Sequence, residues 1–436
     1  MVERVLGKGF FSFLETTGAY GDNQFAYRKM RSYKDLLALN VMTWVWALHN
    51  KKKVGVYCSD VSGAFDRVER NRLLDKLHSK GLHGKVFELL ASWLGDRTAH
   101  VIVEGAASTQ TILRNMVFQG TTWGPPLWNC YYEDARKAVL QAGFTDSTFA
   151  DDLNCYKIFD STLQNDIVHE ELEECQRQVH NWGAANRVMF DAAKESMHVL
   201  HRQEPMGDNF KILGVLFDTK LQMGAAVHEI VAKGAWKITT LLRSRRYHTM
   251  QEMMQLYKSH VLSYLESATP ALYHASKTTL LPLDNLQRRF LREVGGVTPD
   301  AALCNFNLAP LNTRRDIAML GVIHRAALRK GPKHFHEWFV PVPPAPTTLV
   351  TRRRTRAHRW QLHDLVDSNH TELLKRSVFG LIRIYNELEE NVVNTRSVKD
   401  FQHNLQNKLK ELAENNTESW ELTYDPEHYR RPRQTQ

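Results

Sequence analysis

The sequence predicts an α/β (α+β) chain in two parts, a sheet-bearing part to about residue 219 and a nearly all-helical part after it. Three observations predict this. Up to residue 219, short β-rich runs alternate with helical ones, the pattern of a sheet covered by helices. From Lys220 onward the apolar spacing is helical almost throughout. The 436 residues, 43% hydrophobic and 24% charged, suffice for two or three packed units, and the balance is not that of a disordered polymer.

Residues 1 to about 50 read as helix in pieces. "YKDLLALNVMTWVWALHN" is apolar over much of its circumference, which predicts deep burial. "KKKVGVYCSD" is a β run through Val54, Val56, Tyr57 and Cys58, ending at Asp60. "RNRLLDKLHSKGL" and "KVFELLASWLGD" are helices that stop at Gly81 and Gly95, with Asp66 a candidate cap ahead of the first. "AHVIVEG" and "QTILRNMV" read as a β-hairpin turning at Ala106, Ala107 and Ser108. Pro125 and Pro126 suit the first turn of a helix running through Leu127, Tyr131 and Ala135. In "TFADDLNCYK", Phe149 and Ala150 lead into a short hairpin with Asp151 and Asp152 at its tip. A long helix from about Leu163 to Asn186 follows, then two strands, "SMHVLH" and "FKILGVLFD". Beyond Lys220 come the helices "AAVHEIVAKGAWKITTLLRS", "MQEMMQLYKSHVLSYLES" and "LPLDNLQRRFLREVG". "VPVPPAP" (340–346) has linker composition. It precedes the basic run "TRRRTRAHRW" and a polar helical tail ending in "YRRPRQTQ".

The balance of 57 Lys and Arg against 48 Asp and Glu, a net charge of +9, predicts a polyanionic partner. Five scattered cysteines form no CxxC pair and read as reduced intracellular thiols. His334 and His336 lack a third ligand at metal spacing. No apolar run reaches membrane-span length and the N-terminus has no signal-peptide core, so an intracellular, soluble protein, nuclear or cytoplasmic, is expected. The oligomeric state is left open.

Two adjacent acids on a turn repel each other. Either Asp151 and Asp152 form a solvated turn, where Asp bonds its own backbone, or a divalent cation sits between them. The second reading needs another carboxylate, and the strand-end Asp60 is the best one. A strand-end Asp beside an Asp pair suits two-metal phosphoryl transfer, in which shared carboxylates hold two ions about 3.5–4 Å apart.

"YCSDVSGAFDRV", "VFQGTTWGPPLWNCYYEDA", "FADDLN" and "FKILGVLFD", in this order, resemble the successive palm motifs of a reverse transcriptase of the non-LTR retrotransposon type. "NQFAYRKMRSYKDLLAL" resembles that family's fingers motif, "HNWGAANRVMFDAAKESMHVL" its segment ending in a motif lysine, and "LAPLNTRRDIAML" its region after the thumb. The likeness spans about residues 10 to 330. It implies a right-hand polymerase: partial fingers and palm sheet in 1–219, a helical thumb in 220–300, a post-thumb helical segment in 301–340, and a linker with a helical C-terminal extension in 341–436. It also implies a chain shortened at its N-terminus and lacking the endonuclease.

By this resemblance Asp60, Asp151 and Asp152 would be catalytic and would bind two Mg²⁺ ions, or Mn²⁺, with Lys194 a general acid near the leaving pyrophosphate. Arg28 and Lys29 would hold the triphosphate, Phe65 would gate against the ribose 2′-hydroxyl, and Gln119 and Gly120 would contact the nucleotide. Lys211, Leu213 and Gly214, in a segment "FKILG" that resembles the family's primer-gripping hairpin, would grip the primer terminus, and Arg243, Arg245 and Arg246 would contact nucleic acid from the thumb. The implied partners are an RNA template, a DNA primer and deoxynucleoside triphosphates. The alternative is a catalytically silent nucleic-acid-binding remnant. An RNA-dependent RNA polymerase is disfavoured by the bulky Phe65 and by the pairing of "FADD" with "QGTTWGP".

Overall fold

The computed structural model describes residues 1–95, 97–113, 115–191, 193–343, 358–366 and 372–428. Pro344–Pro346 of the expected linker, most of the basic run "TRRRTRAHRW" and the terminal "YRRPRQTQ" lie outside the described residues.

In chain order the elements are α1 (Val2–Thr16), α2 (Tyr33–His49), β1 (Lys53–Ser59), α3 (Arg70–Ser79), α4 (Gly84–Leu94), β2 (Arg97–Ala99), β3 (Ile102–Val103), β4 (Ala106–Ala107), β5 (Thr111–Leu113), α5 (Gly124–Tyr132), α6 (Ala135–Gln141), β6 (Thr145–Phe149), β7 (Asp152–Phe159), α7 (Asn165–Asn186), β8 (Ser196–Leu200), β9 (Phe210–Ile212), β10 (Val215–Phe217), α8 (Gly224–Arg243) and α9 (Met250–Tyr257). Beyond these, the longer helices are Lys277–Gly295, Leu311–Ala327 and Val398–Glu414. The chain divides into two compact units: residues 1–36 with 52–208, and residues 37–51 with 209–436.

The first unit is organised on a four-stranded antiparallel sheet, β6-β7-β1-β8. Every residue of β1 is buried, because neighbours flank it on both sides and α7 covers one face. Gly55 permits that cover: a Cβ there would come within 2.9 Å of the Phe159 ring and 3.2 Å of Val168. Trp123, Trp128, Tyr131 and Leu172 belong to the core. Trp123, a bulky residue in the "TTWGPP" loop, is buried because its indole docks on α1, donating to the Glu3 carbonyl at 2.7 Å.

Three local expectations are corrected. Helix α3 is capped by Glu69, whose carboxylate accepts from the Asn71 and Arg72 amides, and not by Asp66. The hairpin after α4 turns at Glu104 and Gly105, which lie between the paired Val103 and Ala106 and both have positive φ, the backbone of a tight primed turn. "FKILGVLFD" is not one strand but a second such hairpin, β9-β10, turning at Leu213 (φ 49°) and Gly214 (φ 78°).

That hairpin belongs to the second unit. Trp44 of α2, fully buried, packs edge-on against Phe210 and Phe217 with centroids 6.4 and 5.6 Å apart. The helix is apolar all round, as its sequence predicted, and it is buried accordingly. The helices α8 and Lys277–Gly295 pack on each other, and Tyr257 stacks on Phe290 at 4.2 Å. No helix among the described residues is long and apolar enough to cross a membrane.

Candidate active site

The pairing of β1 with β7 brings the separated carboxylates together. Ser59 pairs with Leu153, so one further step of the same register sets Asp60 opposite Asp152. Phe149 pairs with Asp152 across the β6-β7 hairpin, leaving Ala150 and Asp151 as its two-residue loop. Asp152 therefore begins a strand while Asp151 sits on the turn, and all three acids are partly buried. Ala150 takes φ +60°, a left-handed conformation that an L-residue with a Cβ resists.

A second segment closes on Asp60 from the side. Val61 bridges Phe190, the Ser62 amide donates to the Met189 carbonyl, and the Asp191 amide donates to the Asp60 carbonyl at 2.9 Å. The turn that follows, closed by the Lys194 amide on the Asp191 carbonyl, carries Lys194 back over the acids. Its Nζ lies 2.5 Å from Asp60 Oδ2 and 3.6 Å from Asp191 Oδ2.

The electrostatics are those of crowded like charges. The Asp152 carboxyl is pushed up to about 6, by burial first and then by the charges of Asp151 and Asp60, with Lys194 opposing. Asp151 is raised by burial and by Asp60 as well. Lys194 is held above its ordinary value by its hydrogen bond to Asp60. Excess negative charge of this kind is what a divalent cation with oxygen ligands relieves. Among the described residues, however, no three His, Cys, Asp or Glu side chains are gathered tightly enough to form a ready ligand set. Asp60 is closed on Lys194 instead. In charge and strand register the acids fit a cation, and binding one requires that ion pair to open.

The other expected site residues fall into three groups. Phe65, on the short helix Ala64–Arg67, stacks on Trp128 with centroids 5.9 Å apart, and its carbonyl accepts from the Val117 amide. Gln119 and Gly120 are exposed on the loop before α5, where Gly120 has φ +83° and open space around it. Lys29 is exposed, but the neighbouring Arg28 is satisfied internally: its guanidinium pairs with Glu15 and donates to the Gly21 and Gln24 carbonyls, leaving the side chain 4% exposed. In the second unit, Lys211 pairs with Glu229 at 2.9 Å beside the Leu213–Gly214 turn. Arg243, Arg245 and Arg246 are exposed at the end of α8, with Arg246 over the Tyr247 ring.

Gln24 and Trp128 were not singled out by sequence reasoning, yet both bind the turn that carries Asp151. The Trp128 indole donates to the Ala150 carbonyl at 3.0 Å, and the Gln24 amide brackets the same residue. The only signal was a glutamine in the polar-to-apolar stretch "DNQFAY", unremarkable without the fold.

A sheet with one strand-end Asp, a hairpin Asp pair and a lysine returning over them is the arrangement expected of a polymerase palm. Residues 4–217 match the reverse transcriptase (RNA-dependent DNA polymerase) family, which that segment of the chain resembles. It is similar to the RNA-directed DNA polymerase from mobile element jockey of Drosophila funebris, 25% identical over 314 residues, which cover 68% of this chain and 34% of that protein. The probable RNA-directed DNA polymerase from transposon X-element of Drosophila melanogaster is 26% identical, covering 59% of this chain and 30% of its own length. The chain thus spans about a third of the curated relatives it matches. Among solved structures, apo telomerase from Candida tropicalis aligns with a TM-score of 0.40 and 12% identity over 76% of this chain and 55% of that one.

Proposed function

We propose that the chain is an RNA-directed DNA polymerase that extends a primer 3′-hydroxyl with deoxynucleotides on an RNA template. The observation that carries this reading is the strand register that sets Asp60 opposite Asp152 with Asp151 on the adjoining turn. Asp60, Asp151 and Asp152 would hold two Mg²⁺ ions. When bound, such ions lower the pKa of the attacking hydroxyl and neutralise the leaving pyrophosphate.

The chain's own residues do the remaining work. Lys194, released from Asp60, is a cation within reach of the leaving group and holds a proton to give it. Lys29 supplies exposed positive charge for the triphosphate, and Arg28 would have to leave Glu15 to join it. Phe65, held by its stack on Trp128, is the candidate gate against a 2′-hydroxyl. The Leu213–Gly214 turn and the exposed arginines ending α8 are proposed to contact primer and duplex.

The test is primer extension on a heteropolymeric RNA template with Mg²⁺ and deoxynucleotides. Extension that stops on chelation is the expected result. A folded chain that binds primer–template at low salt yet adds no nucleotide would favour the silent remnant instead. In the same assay Phe65→Val is expected to raise ribonucleotide incorporation, and unchanged sugar discrimination would remove the gate role.

A further inference from the structure

The geometry points to Gln24 as a positioning residue that sets the direction of Asp151 by clamping the two peptide units on either side of Ala150. This rests on the polymerase reading above and deepens it.

Ala150 is 6% exposed and sits at φ +60°, a left-handed region that residues with a Cβ resist. Alanine has no side chain with which to stabilise that backbone locally, so the surroundings must hold it. The Ala150 N–H, part of the peptide entering the turn, donates to Gln24 Oε1 at 2.9 Å. The Ala150 carbonyl, part of the peptide leading into Asp151, accepts from Gln24 Nε2 at 3.1 Å. One planar primary amide thus fixes both peptide planes, and with them the position and N–Cα direction from which the Asp151 side chain departs.

The clamp is itself anchored. The Phe25 amide donates to the Thr148 carbonyl at 2.9 Å and the Thr148 amide to the Asn23 carbonyl at 3.0 Å, so Gln24 is pinned on both sides against β6. Its Oε1 also accepts from the Ala26 amide at 3.0 Å. Gln24 is 6% exposed, so its amide is closed off from the solvent that would compete for these bonds. Trp128 holds the same carbonyl, but only on the Asp151 side of the turn. A side chain that engages both peptides resists a flip that a single donor permits. Gln24 acts on the acid through the backbone, as an outer-shell group orients a metal ligand.

The experiment separates holding a strained residue from aiming a carboxylate. Gln24→Ala is compared with the wild type and with a double variant that adds Ala150→Gly, since glycine takes positive φ without strain. Three readouts are used: Mn²⁺ affinity of the full chain by electron paramagnetic resonance, steady-state primer extension, and the melting temperature. Gln24→Ala is expected to weaken Mn²⁺ binding about 10-fold and to lower kcat about 10²-fold with KM for primer–template unchanged. Adding Ala150→Gly is expected to recover thermal stability but neither of these losses.

Unchanged Mn²⁺ affinity and kcat in Gln24→Ala would overturn the inference, as would their full return in the double variant. If Gln24→Ala alone does not fold, the double variant decides. Mn²⁺ binding that depends on Gln24 in a chain that adds no nucleotide removes the polymerase reading and leaves the clamp standing. Nucleotide addition indifferent to Gln24 does the reverse. A wild type with neither binding nor addition overturns both.

Discussion

Replacing Asp151 and Asp152 together by asparagine is expected to abolish nucleotide addition while making the metal-free protein more stable at pH 7. The first half follows from the proposed role. Asparagine keeps the size of the side chain but loses the charge that hard cations require, and a fall of at least about 10³-fold in kcat is expected by analogy with the loss of a principal electrostatic group.

The second half follows from the crowding of the acids. Asp152 has its pKa raised to about 6 from 3.8, and Asp151 is raised too. A carboxyl whose folded pKa lies above its unfolded value favours the fold below the unfolded pKa, and that advantage is lost as pH rises through the folded one. At pH 7 the wild type therefore carries the full penalty of charged, half-buried acids. A tenfold change in proton affinity corresponds to roughly 1.4 kcal/mol, and solvent screening of these partly exposed groups trims the total to ~1–2 kcal/mol. In chelator, the double variant should melt several degrees higher than the wild type at pH 7, at about 2–4 °C per kcal/mol. The gap should close as pH falls from about 6 to 3.8. A variant less stable than the wild type at pH 7 would show that the acids are not frustrated by one another.

Trp128→Ala is expected to be among the most destabilising single changes in the first unit. The indole is fully buried, stacks on Tyr132 at 4.9 Å and on Phe65 at 5.9 Å, and donates to the Ala150 carbonyl. Removing a buried Trp costs about 3–5 kcal/mol, a large share of the ~5–15 kcal/mol that holds a typical domain. Trp128→Phe keeps most of the packing but leaves the turn carbonyl with one donor fewer, at about 1–2 kcal/mol. Urea unfolding of the two variants checks both numbers. Equal losses would mean that the indole hydrogen bond, and not packing, is what matters at this position, whereas a negligible loss in Trp128→Phe would mean the reverse.

Much of the first unit was legible from periodicity. The strand ending at Asp60, the hairpin carrying the acid pair, the helix now found at Asn165–Asn186 and the strand Ser196–Leu200 all stand where the sequence suggested. Regular elements announce themselves because burial of one face repeats along the chain. What the sequence hid depends on partners far away in it. Alanine at position 150 gives no hint of a left-handed turn, because Gln24 and Trp128 impose that conformation from 126 and 22 residues away. Arg28 read as a free phosphate-binding cation because nothing local reveals its pairing with Glu15 across a chain reversal. "FKILGVLFD" read as one strand from its largely apolar composition, and it was the resemblance to a primer-gripping hairpin that agreed with the turn the backbone makes at Leu213 and Gly214. Asp60 was legible as a strand-end acid, but that it meets Asp152 was not, since no spacing rule spans so long an interval and the strand register alone shows it.

The assignment of Leu37–Lys51 to the second unit bears on how the protein is made. Most of α2 leaves the ribosome early, but the β9-β10 hairpin against which Trp44 packs follows roughly 160 residues later. At ~5–20 residues per second that is about 10–30 s during which a helix apolar on every side has no native cover. A recombinant fragment cut at residue 208 would make that interval permanent. It would keep the Asp60, Asp151 and Asp152 sheet yet carry Trp44, Val45 and Leu48 without the residues that bury them, and such a fragment is expected to aggregate.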